Sequence, residues 1–100
     1  MNDIAAFRVN TEGTVAWLTL CRPEKRNTMG MAFFHQLDKH FHDFDADPDV
    51  RVVVICAEGP DFSAGLDLTE AGALLNGTGA DDRERLRRTI LDIQQSITAI

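Results

Sequence analysis

The sequence predicts an α/β fold, a small sheet with parallel strands covered by helices, and three stretches carry that prediction. Val52-Val53-Val54-Ile55-Cys56 is an unbroken and mostly β-branched apolar run, the pattern of a parallel-sheet strand buried on both faces. Just before it, Met31, Phe34, Leu37, Phe41 and Phe44 recur at three- and four-residue intervals, which makes one apolar face on an amphipathic helix. Val15-Ala16-Trp17-Leu18-Thr19-Leu20 supplies a strand ahead of that helix. Strand, helix and strand then form a crossover that joins two parallel neighbours.

Taken in order, residues 7–10 and 15–20 flank Thr11-Glu12-Gly13-Thr14, a turn-rich linker, so the chain opens with a β-hairpin. Its second strand is longer and more apolar and is expected to be the more buried. Pro23 ends it, because proline cannot donate to a ladder, and residues 22–27 form a loop. The helix covers residues 31–45, with Gly30 in the N-cap position and Pro48 as the stop. The buried strand is expected over residues 51–57, with Glu58-Gly59-Pro60-Asp61 as the turn that leaves it. A short helix is expected from Leu66 to about Leu75, followed by a break at residues 76–80 with two glycines. Asp81 and Asp82 open a last helix, in which Leu86, Ile90, Ile93, Ile97 and Ile100 recur at a four-three-four-three spacing. That stripe suits a helix docked on the domain, with an isolated coiled coil as the alternative.

One hundred residues, 44% of them hydrophobic, suffice for one small domain. A net charge of −6 argues against nucleic acid and anionic membranes as partners, since both favour a basic stripe. It leaves room for a phosphorylated ligand, because Arg22, Lys25 and Arg26 form a local cationic cluster. Read alone, that cluster is better taken as a solvated turn in which Glu24 neutralises one neighbour. Cys21 and Cys56 lack C-x-x-C spacing and read as small buried hydrophobes in a reducing compartment. His35 and His42 share a helix face, but two turns separate them and no further ligand completes a site, so no metal is expected. The first residues lack the features of a signal peptide, and no apolar run approaches a membrane span. The expectation is a cytoplasmic protein.

The stretch that carries chemistry is Asp61-Phe62-Ser63-Ala64-Gly65-Leu66-Asp67-Leu68. It lies beyond the carboxyl end of the apolar strand, where ligands bind to open α/β sheets. Ser63, Ala64 and Gly65 are small enough for a ligand to approach the backbone, and the first amides of a following helix have no partner of their own. An amide there, best that of Leu66, can donate to a polarised oxygen. The competing reading is a tight turn in which Gly65 serves its dihedrals alone.

The segment from Phe62 to Leu68 resembles the oxyanion-hole loop of the crotonase (enoyl-CoA hydratase/isomerase) superfamily. Arg22-Pro23-Glu24-Lys25-Arg26-Asn27 is similar to that family's first loop, and the two blocks stand at the family's spacing. The resemblance runs from about Phe7 to Ile100, and within the superfamily it is closest to dienoyl-CoA isomerases. It implies a crotonase-like (ClpP/crotonase) ββα-superhelix fold, of which residues 1–100 form the N-terminal portion. The second oxyanion glycine and the acid/base carboxylates are then expected beyond Ile100. It also implies an acyl-CoA substrate, hydrated or isomerised through a thioester enolate, with no prosthetic group and with a homotrimer or hexamer as the full-length assembly. By the resemblance, Leu66 contributes its backbone N–H to the oxyanion hole. Lys25 and Arg26 contact coenzyme A phosphates, and Ser63, Ala64, Gly65, Leu66, Asp67 and Leu68 line the coenzyme pocket. Asn27 is expected to hold its turn, Asp67 to stabilise a helix N-terminus, and Glu70 to be solvated. The alternative is a non-catalytic CoA-binding or oligomerisation fragment.

Overall fold

The computed structural model describes residues 5–75 and 79–100. Strand β1 (Phe7–Glu12) turns through Gly13 and Thr14 into β2 (Val15–Leu20), pairing antiparallel in a register that sets Phe7 opposite Leu20 and Glu12 opposite Val15. Gly13, at φ 59, provides the left-handed residue such a tight turn needs. A 3₁₀ turn, Pro23–Lys25, leads to helix α1 (Met31–Ala46), which returns the chain to β3 (Val52–Ala57). β3 lies parallel to β2, with Val15 opposite Val52 and Leu20 opposite Ala57. The sheet order is β1-β2-β3, so the expected hairpin and crossover are both present. Helices α2 (Leu68–Leu75) and α3 (Ala80–Thr98) follow. Most of the glycine-bearing break expected at residues 76–80 lies outside the described residues.

The core lies between β2 and α1. On β2 the period-2 rule turns Ala16, Leu18 and Leu20 to one face, and all three are buried. Phe33, Phe34, Leu37 and Phe41 of α1 cover that face, with Phe33 packed on Phe7 at a centroid distance of 4.8 Å. Val53, Ile55 and Ala57 of β3 pack on the same cluster.

Two sequence expectations need correction. β3 is not buried on both faces: none of its residues is fully buried, and Val52 is 52% exposed. Among the described residues it is an edge strand, with β2 on one side only. Helix α2 starts at Leu68 rather than Leu66, because Leu66 is held in a parallel bridge to Met29. Helix α3 docks on the domain beside α1, as its apolar stripe suggested. Its contact face, however, is set by Ile93, Ser96 and Ala99, with Ile90, Ile97 and Ile100 left exposed.

Candidate functional site

Three segments converge at the carboxyl ends of β2 and β3: the turn 22–27, residues 28–30, and the loop 58–67. Asn27 joins the first to the third. Its Oδ1 accepts from the Arg22 amide at 2.8 Å, and its Nδ2 donates to the carbonyls of Glu58 and Asp61 at 3.0 and 3.2 Å. It is 3% exposed, so the bonds are sheltered from water. The loop packs close over the turn: a Cβ on Gly59 would lie 2.7 Å from Cβ of Pro23.

Ser63 continues the link, donating from Oγ to the Asn27 carbonyl at 2.8 Å and accepting from the Gly65 amide at 3.1 Å. The Ala64 amide donates to the Arg26 carbonyl at 2.9 Å. Met29 then clamps the next stretch, donating to the Gly65 carbonyl at 2.8 Å and accepting from the Asp67 amide at 2.9 Å. Gly65, at φ 97 with nothing within 4 Å of a Cβ position, is required by its dihedral angle rather than by crowding.

Of the four amides from Ala64 to Asp67, only that of Leu66 has no acceptor among the described residues. This follows from parallel bridging, in which Met29 bonds the residues on either side of its partner. Leu66 is 52% exposed, and its amide is held between two bonded neighbours. On one side lies a groove of about 560 Å³ lined by Lys25, Thr28, Ala64, Leu66, Asp67 and Leu68 among others. On the other is a cleft of about 200 Å³ whose lining includes Met29, Phe34, Leu66, Leu86, Ile90 and Ile93. Leu66 borders both.

The residues singled out from the sequence divide accordingly. Lys25, Ala64, Leu66, Asp67 and Leu68 meet around the larger groove. Ser63 and Gly65 are not part of its lining and shape it from behind. Arg26 is turned aside, its Nε paired with Asp61 Oδ2 at 3.1 Å. Asp67 acts as a helix cap: Oδ1 accepts from the amides of Thr69 and Glu70 at 2.9 and 3.3 Å, which favours the start of α2. Glu70 is exposed, as expected, and it also makes one contact that the sequence does not suggest. Its Oε1 accepts from the Met31 amide at 3.3 Å, at the first turn of α1. No local spacing announces this contact, since 39 residues separate the two. Nearby, burial pushes the Cys21 thiol above its ordinary value, which keeps it a neutral, inert packing group.

Comparison with known proteins agrees with this architecture. Residues 10–100 match the family model described as enoyl-CoA hydratase/isomerase. The peroxisomal Delta(3,5)-Delta(2,4)-dienoyl-CoA isomerase of Arabidopsis thaliana is 34% identical over 99 residues, which are 94% of this chain and 36% of that protein. The mitochondrial enzyme of the same name from Mus musculus is 37% identical over 90 residues, 86% of this chain and 28% of that protein. Among solved structures, an enoyl-CoA hydratase/isomerase from Marinobacter aquaeolei superposes with a TM-score of 0.74 at 26% identity, covering 92% of this chain and 36% of its own. The chain thus spans about a third of the length of the relatives it matches, and over that span it has the crotonase fold. On sequence and on structure alike, the chain belongs to the enoyl-CoA hydratase/isomerase family.

Proposed function

We propose that the protein carrying this chain acts on acyl-CoA thioesters as a hydratase or double-bond isomerase, with the Leu66 amide as one oxyanion donor. The observation that carries this reading is the unpartnered Leu66 N–H, fixed between bonded neighbours where two grooves meet. Proton movement or hydration beside a thioester carbonyl builds negative charge on its oxygen. A backbone donor already in place stabilises that charge as it develops, without reorganising in the transition state. Loss of one such donor costs about 3–4 kcal/mol in comparable sites.

The cleft beside Leu66 suits an acyl chain, and the groove bordered by Lys25 suits the coenzyme handle. Coenzyme A enters as part of the substrate, and the thioester itself supplies the electron sink, so no prosthetic group is invoked. The second donor and the acid/base carboxylates belong to the rest of the protein, as does a trimeric or hexameric assembly. Nothing in the chain specifically favours a non-catalytic role. The relatives named above are peroxisomal and mitochondrial, so the cytoplasmic assignment rests on the sequence alone. Among the described residues no helix is long and apolar enough to cross a membrane.

Substitution at Leu66 in the full-length protein tests the reading. Leu66→Ala keeps the amide and should hold kcat within about tenfold, whereas Leu66→Pro removes it and should lower kcat by about 10²–10³. Equal kinetics for the two variants would refute the assignment.

A further inference from the structure

We propose that Glu70 is a positioning residue for the Leu66 amide, acting through the N-terminus of α1; this rests on the reading of that amide as an oxyanion donor. Helix α1 starts after Gly30, which has no side chain with which to cap, and its first turn contains no acidic residue. Its leading amides therefore lack a local acceptor. Glu70 supplies one from α2, accepting from the Met31 amide, and its charge stands at the positive end of the α1 dipole. Gly30 leaves the space: a Cβ there would collide with Glu70 Oε2 and lie 2.8 Å from its Cδ.

The same short segment holds the oxyanion loop. Met29 bonds Gly65 and Asp67 on either side of Leu66, and Met31, two residues on, bonds Glu70. Leu66 contributes to none of these bonds, so the aim of its amide is inherited from three fixed neighbours. Without Glu70, Asp67 still caps α2 and Met29 still holds Gly65 and Asp67, but the direct link from α2 to the first turn of α1 is lost. Displacing a catalytic group by about 1 Å can cost about 10²-fold in rate. Glu70 would then be felt in kcat although it touches no reacting atom.

A role confined to capping α1 predicts something different, and four variants of the full-length protein separate the two. Glu70→Ala deletes the link, and Gly30→Ala displaces the carboxylate by steric conflict. Glu70→Gln keeps an acceptor oxygen. Gly30→Ser combined with Glu70→Ala gives α1 its own N-cap without restoring the link to α2. With 2-enoyl-CoA and 3,5-dienoyl-CoA as substrates, kcat should fall about ten- to a hundredfold in Glu70→Ala and Gly30→Ala while KM stays within about twofold. Glu70→Gln should recover most of the rate. The double variant should recover Tm but not kcat. Recovery of kcat together with Tm in the double variant overturns the proposal, as does an unchanged kcat in Glu70→Ala. If the wild-type protein turns over neither thioester, the oxyanion reading fails and takes this one with it. A wild type that is active and sensitive to Leu66→Pro but indifferent to Glu70→Ala refutes the positioning role alone.

Discussion

Arg26 and Asn27 occupy the left-handed region in succession, at φ 54 and φ 52, where a side-chain-bearing residue costs roughly 1–2 kcal/mol. Asparagine tolerates the region better than most, and here its amide bonds the Arg22 N–H and two loop carbonyls. Those bonds offset the strain and tie the turn to the loop that carries Leu66. Asn27→Ala should therefore lose about 1–3 kcal/mol for each buried group left unpaired, and it should loosen the loop that carries Leu66 as well. Urea unfolding measures the first effect; a loss below about 0.5 kcal/mol, the level of an ordinary surface change, would contradict it. The neighbouring cations are expected to behave unequally. Arg26 is engaged by Asp61, whereas Lys25 is exposed at the edge of the groove. On the proposed acyl-CoA reading, Lys25→Ala should weaken CoA binding more than Arg26→Ala, and more at low salt than at high salt, as expected of an ion pair near the surface. Calorimetric titration at two ionic strengths checks both the order and the salt dependence.

Two of the three histidines of helix α1, His40 and His42, are separated by the fold. Burial, with help from the Lys39 charge, draws the His40 ring below its ordinary value, and the ring packs between Phe7 and Phe44. His42 is exposed and is raised by its bond to the Asp38 carbonyl and by the Asp38 carboxylate. For His40 the folded state binds protons less readily than the unfolded state, so its contribution is present above pH 6.5 and is lost as pH falls through the lowered value. His42 has the opposite sign: its contribution is full below pH 6.5 and fades as pH rises through the raised value. An NMR titration of the two rings should give His40 the lower midpoint; the reverse order would contradict this packing of α1. Much of this element level was legible in the sequence. The hairpin, α1 and the parallel return follow from local apolar periods, and the Asp67 cap from its place before a helix. What escaped depends on distant residues. Phe33 is buried off the main stripe because Phe7 meets it. The start of α2 is delayed because Leu66 bridges to Met29. Glu70 is engaged because Gly30, far away in sequence, leaves space for it. The apolar run of β3 was over-read, since a continuous run says that a strand can be buried on both faces, not that these residues cover both.

Across the whole chain, the apolar surface is unevenly covered. α1 and β2 enclose one compact cluster, but Ile90 and Ile97 of α3 and Ile100 just beyond it are 45%, 47% and 59% exposed. β3 also presents an edge that is unpaired among the described residues. Each large aliphatic side chain gains roughly 1.5–3 kcal/mol on full burial relative to exposure, so half-covered positions leave a substantial part of that driving force unused. An unpaired edge offers a template for another chain, and contiguous apolar surface favours association. A polypeptide limited to residues 1–100 should therefore self-associate or unfold with weak cooperativity. Replacing Ile90 and Ile97 together by Lys should reduce association without disturbing the β2–α1 core, since neither residue belongs to that cluster. Sedimentation velocity and thermal unfolding of the isolated polypeptide provide the test. A monodisperse monomer with a single sharp transition would mean that the β2–α1 cluster and the docking of Ile93, Ser96 and Ala99 are sufficient for an independent domain.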